Sequence, residues 1–531
     1  MMNSSLEPGT PIRLYLIVGI LLLNISTVCG QQVRGIVYED ANQNQVLDPN
    51  EKGIPNVAVS NGVEVTQTDR DGKYVLPGSD DQIIFVIKPA GYQFAINEYQ
   101  QPQFYYNHKP NGSPRLKYSG VAPTGPLPES INFGLTPTDE ADEYSLVVFG
   151  DPQPYTLEQV HYFNQGIVSE LVGNKKHSFG ISLGDLVGDD LTLFYPYLHA
   201  TSRIGLPWYH VYGNHDMNFD AKEDRYADET FEAVFGPANY SFNYGKVHYI
   251  ILDDVLYPDP RDGRGYWGGF RKDQLEFVKN DLKYVPKDHL VIVSFHIPIT
   301  EYNGGDQFRD SDREKLFDLL KDHLNTLSLS AHTHFQMHDF FGKDRGWKGN
   351  KVHHHYNVGT TSGDWYSGSM DRYNTPNARM RDGTPKGYAI LNIDGNKYEF
   401  DYKVAGEDEA HKMHIHTPKV VPGGGRSRGE VVVNFYQGSR RDSLFFRVNE
   451  EEWQPMRYAP SFDPVITKVQ HDWDYYYSLP EGRRPSHPII STHIWRSRIP
   501  NHLEPGEHIL EVKAVDFMGR TYTNKTTYVI R

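Results

Sequence analysis

Five times between residues 145 and 334, a run of apolar residues that reads as a buried strand stops and is followed at once by side chains able to ligate a metal. The segments are Phe149-Gly150-Asp151-Pro152-Gln153, Leu183-Gly184-Asp185-Leu186, Tyr212-Gly213-Asn214-His215-Asp216, Ser294-Phe295-His296 and Ser330-Ala331-His332-Thr333-His334. In open α/β folds ligands bind outside the carboxyl ends of strands, so a chain built this way can bring all five loops to one edge. Glycine before Asp185 and before Asn214 suits a backbone that turns sharply and approaches a ligand closely.

The surrounding pattern sets these strands in a larger frame. A chain of 531 residues exceeds the ~250–300 that one core supports, so several domains are expected. Residues 31–137 alternate in short strands such as Val33–Tyr38, Val57–Ser60 and Ile83–Ile87, with Asn61-Gly62 and Asp71-Gly72 as turn signals, and read as a small β-sandwich. Residues 138–405 alternate strands with helices, the latter expected after Leu157, over Lys272–Lys283 and over Asp312–Asn325, which implies a layered α/β domain. Gly406–Glu430 is polar, contains Pro422-Gly423-Gly424-Gly425 and reads as a linker; 431–531 returns to strand alternation and predicts a second β-sandwich.

The donors in the five loops are carboxylate, amide and imidazole, which suit Mn, Fe or Zn rather than thiolate-preferring metals. Their order, Asp-x-Gln, Gly-Asp, Gly-Asn-His-Asp, His and His-x-His, resembles the calcineurin-like metallophosphoesterase superfamily over roughly Ser145 to Val404, and the flanking sandwiches resemble an exported bacterial subgroup. The resemblance implies a central domain of β-sandwich sheets flanked by helices between two small all-β sandwich domains. It assigns Asp151, Gln153, Asp185 and His334 to one divalent metal and Asp185, Asn214, His296 and His332 to a second, with Asp185 bridging. It places His215 at the substrate, with Asp216 orienting its imidazole. Gln153 stands where the majority pattern has His and leaves one metal's identity open. The implied chemistry is hydrolysis of phosphate esters, with phosphomonoesters expected, by a metal-bridging hydroxide. A phosphodiesterase, a pyrophosphohydrolase and a non-catalytic envelope-binding protein are the alternatives.

Composition narrows the partners. A net charge of −15 argues against nucleic acid, whose binding is driven by Lys and Arg; a phosphorylated small molecule or an envelope component is the expected substrate. Arg13, the apolar run Leu14–Ile25 and the ending Val28-Cys29-Gly30 read as a signal peptide over residues 1–30, hence export to the periplasm, cell surface or medium. Lipid anchoring at Cys29 is the minor alternative. No second hydrophobic stretch follows, so no transmembrane helix is expected in a chain starting at Gln31, and without Cys29 its metals must be held by N and O atoms.

Four further groups stand out. Trp365 and Asp382, in the long Gly-rich segment after His334, are candidates for a substrate-facing wall. Asp189 and Asp190 suit roles behind the metal ligands or as helix caps. His353 and His355 share one face of a strand, read as a solvated edge. Asp40, Asn42, Asn44, Val46, Asp48 and Glu51 follow the spacing of a calcium loop, although Gln45 replaces the usual Gly, and a structural calcium or a polar turn is expected there.

Overall fold

Strand alternation in the first hundred residues and strand–helix alternation in the next 270 produce three bodies. The computed structural model describes residues 31–302, 304–424, 429–478 and 480–531; the expected leader over 1–30 lies outside them. The first body is a sandwich of two four-stranded sheets, in spatial order Lys73–Pro77, Gln32–Glu39, Phe133–Pro137, Tyr92–Gln93 and Val65–Gln67, Ala58–Ser60, Gln82–Ile87, Tyr105–His108. Gly62 and Gly72 carry its predicted turns at φ of +92° and +77°.

The central body packs two mixed sheets face to face. One orders Trp208–Val211, Phe179–Leu183, Glu143–Phe149, Gly387–Asp394 and Lys397–Val404, with the first three parallel. The other orders Tyr240–Tyr244, Val247–Ile251, Leu290–Ser294, Asn325–Ser330, His353–Asn357 and Met337–Phe341, with the inner four parallel. Strands such as Phe179–Leu183 and Leu290–Ser294 are buried along their whole length, as their unbroken apolar runs require of parallel strands covered on both faces. Between the sheets Tyr209 stacks on Phe242 at 4.0 Å, and Phe179 meets Tyr249 edge-on at 5.4 Å. Helices Leu157–Gly166, Phe194–Ser202, Glu229–Phe235, Lys272–Asp281 and Asp310–Leu320 complete this body. Thr156 caps the first by accepting from the Gln159 N–H.

The third body is a sandwich of a four- and a five-stranded sheet. Two of its strands, Met413–His416 and Val420–Val421, fall inside the stretch expected as a linker. They pair with Glu430–Phe435 and Thr521–Ile530, so the polar composition there belongs to short edge strands.

The flanking bodies are attached by different physics. The first shares one continuous apolar core with the central body, which includes Val86, Phe104, Phe149 and Ile292. Lys109 adds a buried ion pair to Glu229, at 2.6 Å. The third has its own core and meets the centre through a small apolar group, Met380, Tyr402, Val404 and Tyr436, and a buried polar network. In that network Asp382 Oδ2 accepts from the Gln336 N–H at 2.8 Å and lies 2.9 Å from His493 Nε2, while Asn434 donates to the Asp382 carbonyl and to Asp463. Asp382 is therefore not a substrate-facing group: it is 1% exposed and turned toward the third body.

Burial opposes ionisation of Asp382, but His493 and the backbone N–H groups hold its carboxyl below the ordinary carboxylate range. Its stabilising share is thus complete above the unfolded value of about 3.9 and is lost as pH falls through the lower folded value. Asp382→Asn is expected to cost about 3 kcal/mol at pH 7, the scale for breaking a buried pair. In chemical denaturation across pH, the gap to wild type should close below about pH 4; a gap that persists unchanged at lower pH would contradict this role.

Candidate metal centre

Because the strands bearing the five loops run parallel within each sheet, their carboxyl ends lie along one rim of the sandwich, and the loops meet there. The backbone is bent hard to do this. Asp151, Gln153, Asp185, His332 and His334 all have φ between 34° and 70°, in the left-handed region that non-glycine residues rarely adopt. Each such residue costs on the order of 1–3 kcal/mol and persists only where its surroundings over-determine it. The two predicted glycines are required by close approach. A Cβ on Gly213 would lie 2.1 Å from the Asp185 nitrogen, and one on Gly184 would lie 2.6 Å from His296 Nδ1.

The side chains converge. Asp185, His296 and His332 each offer a ligand atom within 4.8 Å of the others. His296 Nε2 lies 3.2 Å from Asp185 Oδ1, 3.1 Å from Asn214 Oδ1 and 3.2 Å from His332 Nδ1. On the other side Asp185 Oδ2 accepts from the Gln153 amide at 3.3 Å, and His334 Nε2 lies 3.7 Å from Asp151 Oδ1. Backbone carbonyls fix two of the rings: His296 Nδ1 donates to Leu183 O and His334 Nδ1 to Gly363 O, both at 2.8 Å, which turns each Nε2 toward the centre.

This donor set fits divalent cations. Asp151 and Asp185 are buried carboxylates side by side, and the Gln153 Oε1 atom is buried with no hydrogen-bond partner. Burial, reinforced by the charge on Asp185, pushes Asp151 up to about 8. Burial also works against Asp185, but His296 and His215 hold it well below the ordinary range. His296 is pulled down by burial and raised by Asp185 and Asp151 to about 10. A carboxylate pair, an orphaned amide oxygen and inward-facing imidazole nitrogens form a site whose negative charge and lone pairs a cation satisfies together.

His215 stands at the mouth. Its Nδ1 is 2.6 Å from Asp189 Oδ1, and its Nε2 lies 4.0 Å from Asp185 Oδ2. Burial lowers its pKa, but Asp185 and Asp189 together raise it to about 9. Asp216 does not orient this ring. Its carboxylate accepts from the N–H groups of Gly213, Leu186 and Val187, at 3.0, 3.2 and 3.2 Å, and so ties the Asp185 and Asn214 loops to each other. The orienting carboxylate is Asp189, itself at φ +65°, while Asp190 caps the turn at Leu191–Leu193. Asp254 plays the equivalent part behind His296, accepting from the His296 and Ile297 N–H groups.

Trp365 does reach the centre, stacking on His334 with ring centroids 4.0 Å apart. Other aromatic rings at the mouth carry no signal in sequence: Tyr155 lies 6.0 Å from His215, and Tyr266 and Tyr302 lie 6.0 and 6.3 Å from His332. Tyr155 follows Gln153 by two residues, but the other two come from loops with no ligand pattern.

The remaining predicted groups lie elsewhere. His353 and His355 are fully buried rather than solvated, because their strand sits inside the six-stranded sheet. They bond Thr326, Ser328 and Ser330 on the adjacent strand, and burial pulls them down to about 3 and about 4, so they are neutral. The residues with calcium-loop spacing form a turn closed by its own donors. Asp40 accepts from the N–H groups of Asn44 and Gln45, Asp48 from the Asn42 and Asn44 amides, and Glu51 from the N–H groups of Ala41 and Asp48, while Val46 is exposed.

Comparison with known proteins gives the site its chemistry. Residues 144–336 match the family model for calcineurin-like phosphoesterase, residues 40–119 the N-terminal and residues 355–522 the C-terminal model of calcineurin-like phosphoesterase. No curated protein matches the chain. Among solved structures, a purple acid phosphatase from yellow lupin (Lupinus luteus) seeds is similar at 13% identity and a TM-score of 0.35, over 66% of this chain and 69% of that one. A beta-glycosidase from Bacteroides vulgatus is similar at 9% identity and a TM-score of 0.16, over 89% and 74%. With its N-terminal, catalytic and C-terminal parts matched in order, the chain belongs to the calcineurin-like phosphoesterases and is a metal-dependent hydrolase of phosphate esters.

Proposed function

We propose that this enzyme is an exported phosphatase that holds two divalent ions and acts on phosphomonoesters. The observation that carries the two-ion reading is the placement of Asp185. Its Oδ1 atom lies 3.2 Å from His296 Nε2, in a group with His332, and its Oδ2 accepts from the Gln153 amide at 3.3 Å. One carboxylate thus serves two donor groups, as a bridging ligand must. Asp151, Gln153 and His334 would hold one ion with it, and Asn214, His296 and His332 the other; Mn, Fe or Zn suits these donors. When bound, such ions acidify a water and neutralise phosphoryl oxygens.

The chain's own residues supply the rest. Asp189 takes the Nδ1 hydrogen of His215 and leaves Nε2 presented at the mouth, where it can donate a proton to the departing oxygen. Tyr155, Tyr266, Tyr302 and Trp365 stand against His215, His332 and His334, and exclude water around the reacting group. Rings on several sides favour a terminal phosphate entering end-on over a diester lying across the centre. Among the described residues no helix is long and apolar enough to cross a membrane. Export rests on the apolar run at Leu14–Ile25 and the small-residue ending at Gly30.

Asp185→Asn is expected to lower kcat/KM on phenyl phosphate at least about 100-fold, since it weakens both ion sites at once. Mn added to metal-free protein should raise the unfolding temperature of wild type and not of the variant; equal shifts in the two would remove the bridging role. Asp189→Asn is expected to cost about 10-fold in kcat through a poorly oriented His215, with little change in the Mn-induced shift. An unchanged kcat would show that the 2.6 Å contact has no part in turnover. For export, N-terminal sequencing of the protein purified from a host with a secretory pathway should read from Gln31; a chain retained in the cytoplasm with residues 1–30 intact would refute it.

A further inference from the structure

The third body contributes a segment to the mouth of the metal centre. Strands Arg457–Tyr458 and Ile494–Arg498 are antiparallel neighbours, and the pairing extends to Ser461 and Ser491. A hairpin of two to five residues would join them. Residues 462–478 instead leave the sheet and form the helix Pro464–Tyr475, and residues 480–490 run along the loop that follows His334.

The returning strand is fixed in place at three points. The Gly368 N–H donates to Arg483 O at 2.8 Å, the Ser486 N–H to Asp364 Oδ2 at 2.6 Å, and the Ile489 N–H to Arg381 O at 3.0 Å. The second anchor sits next to the centre, because Gly363, the residue before Asp364, accepts from His334 Nδ1. Arg483 is thereby held beside Trp365: its Nη1 donates to Trp365 O at 3.2 Å, and its guanidinium carbon lies 6.0 Å from the indole ring. Trp365 in turn stacks on His334 at 4.0 Å, so the guanidinium lies within about 10 Å of that imidazole.

Arg483 is exposed and, among the described residues, has no carboxylate partner. Its neighbour Arg484, by contrast, is held by both oxygens of Asp474 at 2.6 and 2.9 Å. A guanidinium has five N–H donors arranged to grip a carboxylate or phosphate in two places, and among the described residues the Arg483 guanidinium makes one hydrogen bond, to Trp365 O. Among the described residues the guanidinium contacts Trp365 and none of the side chains that converge at the centre, which places it to meet a group further along a molecule whose phosphate lies against them. The Trp365 indole, which lies against both His334 and Arg483, provides a surface for the intervening part.

We propose that Arg483 is a specificity residue of this phosphoesterase site, binding an acidic group that the substrate's alcohol carries beyond the reacting phosphate. The inference rests on the phosphatase reading above, and the substrate class it names is a phosphate ester whose alcohol bears a carboxylate or a second phosphate.

The test compares phenyl phosphate with 4-carboxyphenyl phosphate and with 1,4-phenylene bisphosphate, using the full-length, Mn-loaded wild type, Arg483→Gln and Arg483→Lys. Wild type should favour the doubly acidic esters. Arg483→Gln should raise KM for them by about 10- to 100-fold, the scale of one charged hydrogen-bonded contact, while phenyl phosphate stays within about twofold; Arg483→Lys should recover part of the loss. Loss confined to the carboxylate or to the bisphosphate identifies which acidic group is bound, and either supports the assignment. An equal loss on all three esters would mean that Arg483 only holds the segment in place, and unchanged preferences would mean that it touches no substrate; both overturn it. Wild type that hydrolyses none of the esters overturns the phosphatase reading and this inference together.

Discussion

The structure is organised around two carboxylates, Asp151 and Asp185, buried side by side at the ends of neighbouring parallel strands. Burying one ionised carboxylate costs several kcal/mol, and a second beside it adds repulsion. Three compensations are visible. The His332 N–H donates to Asp151 and the His215 N–H to Asp185, imidazoles from the second sheet face both, and the surrounding donors suit cations. Five ligand positions are also held at positive φ, a further cost that a loosely packed loop would relieve by turning over. The continuous core through the first and central bodies supplies the rigidity that prevents this.

A second set of carboxylates holds the loops in place. Asp216, Asp254 and Asp382 are each at most 1% or so exposed, and each accepts from backbone N–H groups of a segment that carries a ligand. Asp216 joins the Asp185 loop to the Asn214 loop, Asp254 holds the turn at His296, and Asp382 holds Gln336 just beyond His334. Since each carboxylate fixes peptide groups of these segments rather than the rings of His296 and His334, it sets where the backbone lies, and those two rings are oriented by Leu183 O and Gly363 O. Backbone position and ring orientation are controlled by separate contacts.

This division explains what could be read from sequence. The side chains that converge at the centre are legible because each follows its own strand directly, so a local pattern contains it. The strand spans were legible for the same reason, from Phe179–Leu183 to Ser443–Val448. Asp216 was assigned to the wrong partner because a residue next to His215 in a tight turn points away from its neighbour and back onto Gly213, three residues earlier. The buried histidines at 353 and 355 and the strands within 406–430 depend on pairing with distant segments, which no local periodicity records. Asp382 has the composition of a rim residue and faces inward only because His493, 111 positions away, meets it.

The same distances bear on why three bodies are joined. The loop that follows His334 is rich in glycine, and its Trp365 and Tyr366 sit at φ of 47° and 54°, a conformation that would not hold in isolation. On one side it leans on the central sandwich, where Thr361 N–H donates to Gly150 O and Tyr366 bonds Pro152 O. On the other it is held by the third body, through the Gly368, Asp364 and Arg381 contacts to residues 483–489 and through the Asp382–His493 pair. Removing the third body would therefore free the loop that fixes His334 and Trp365 and would expose Asp382 without its partner. The C-terminal sandwich is in this sense joined to the centre itself, since it holds the loop that fixes His334 and Trp365, while the first body, joined through a common core, also reaches the centre's edge where the Tyr118 hydroxyl bonds Asp189 O and Asp190.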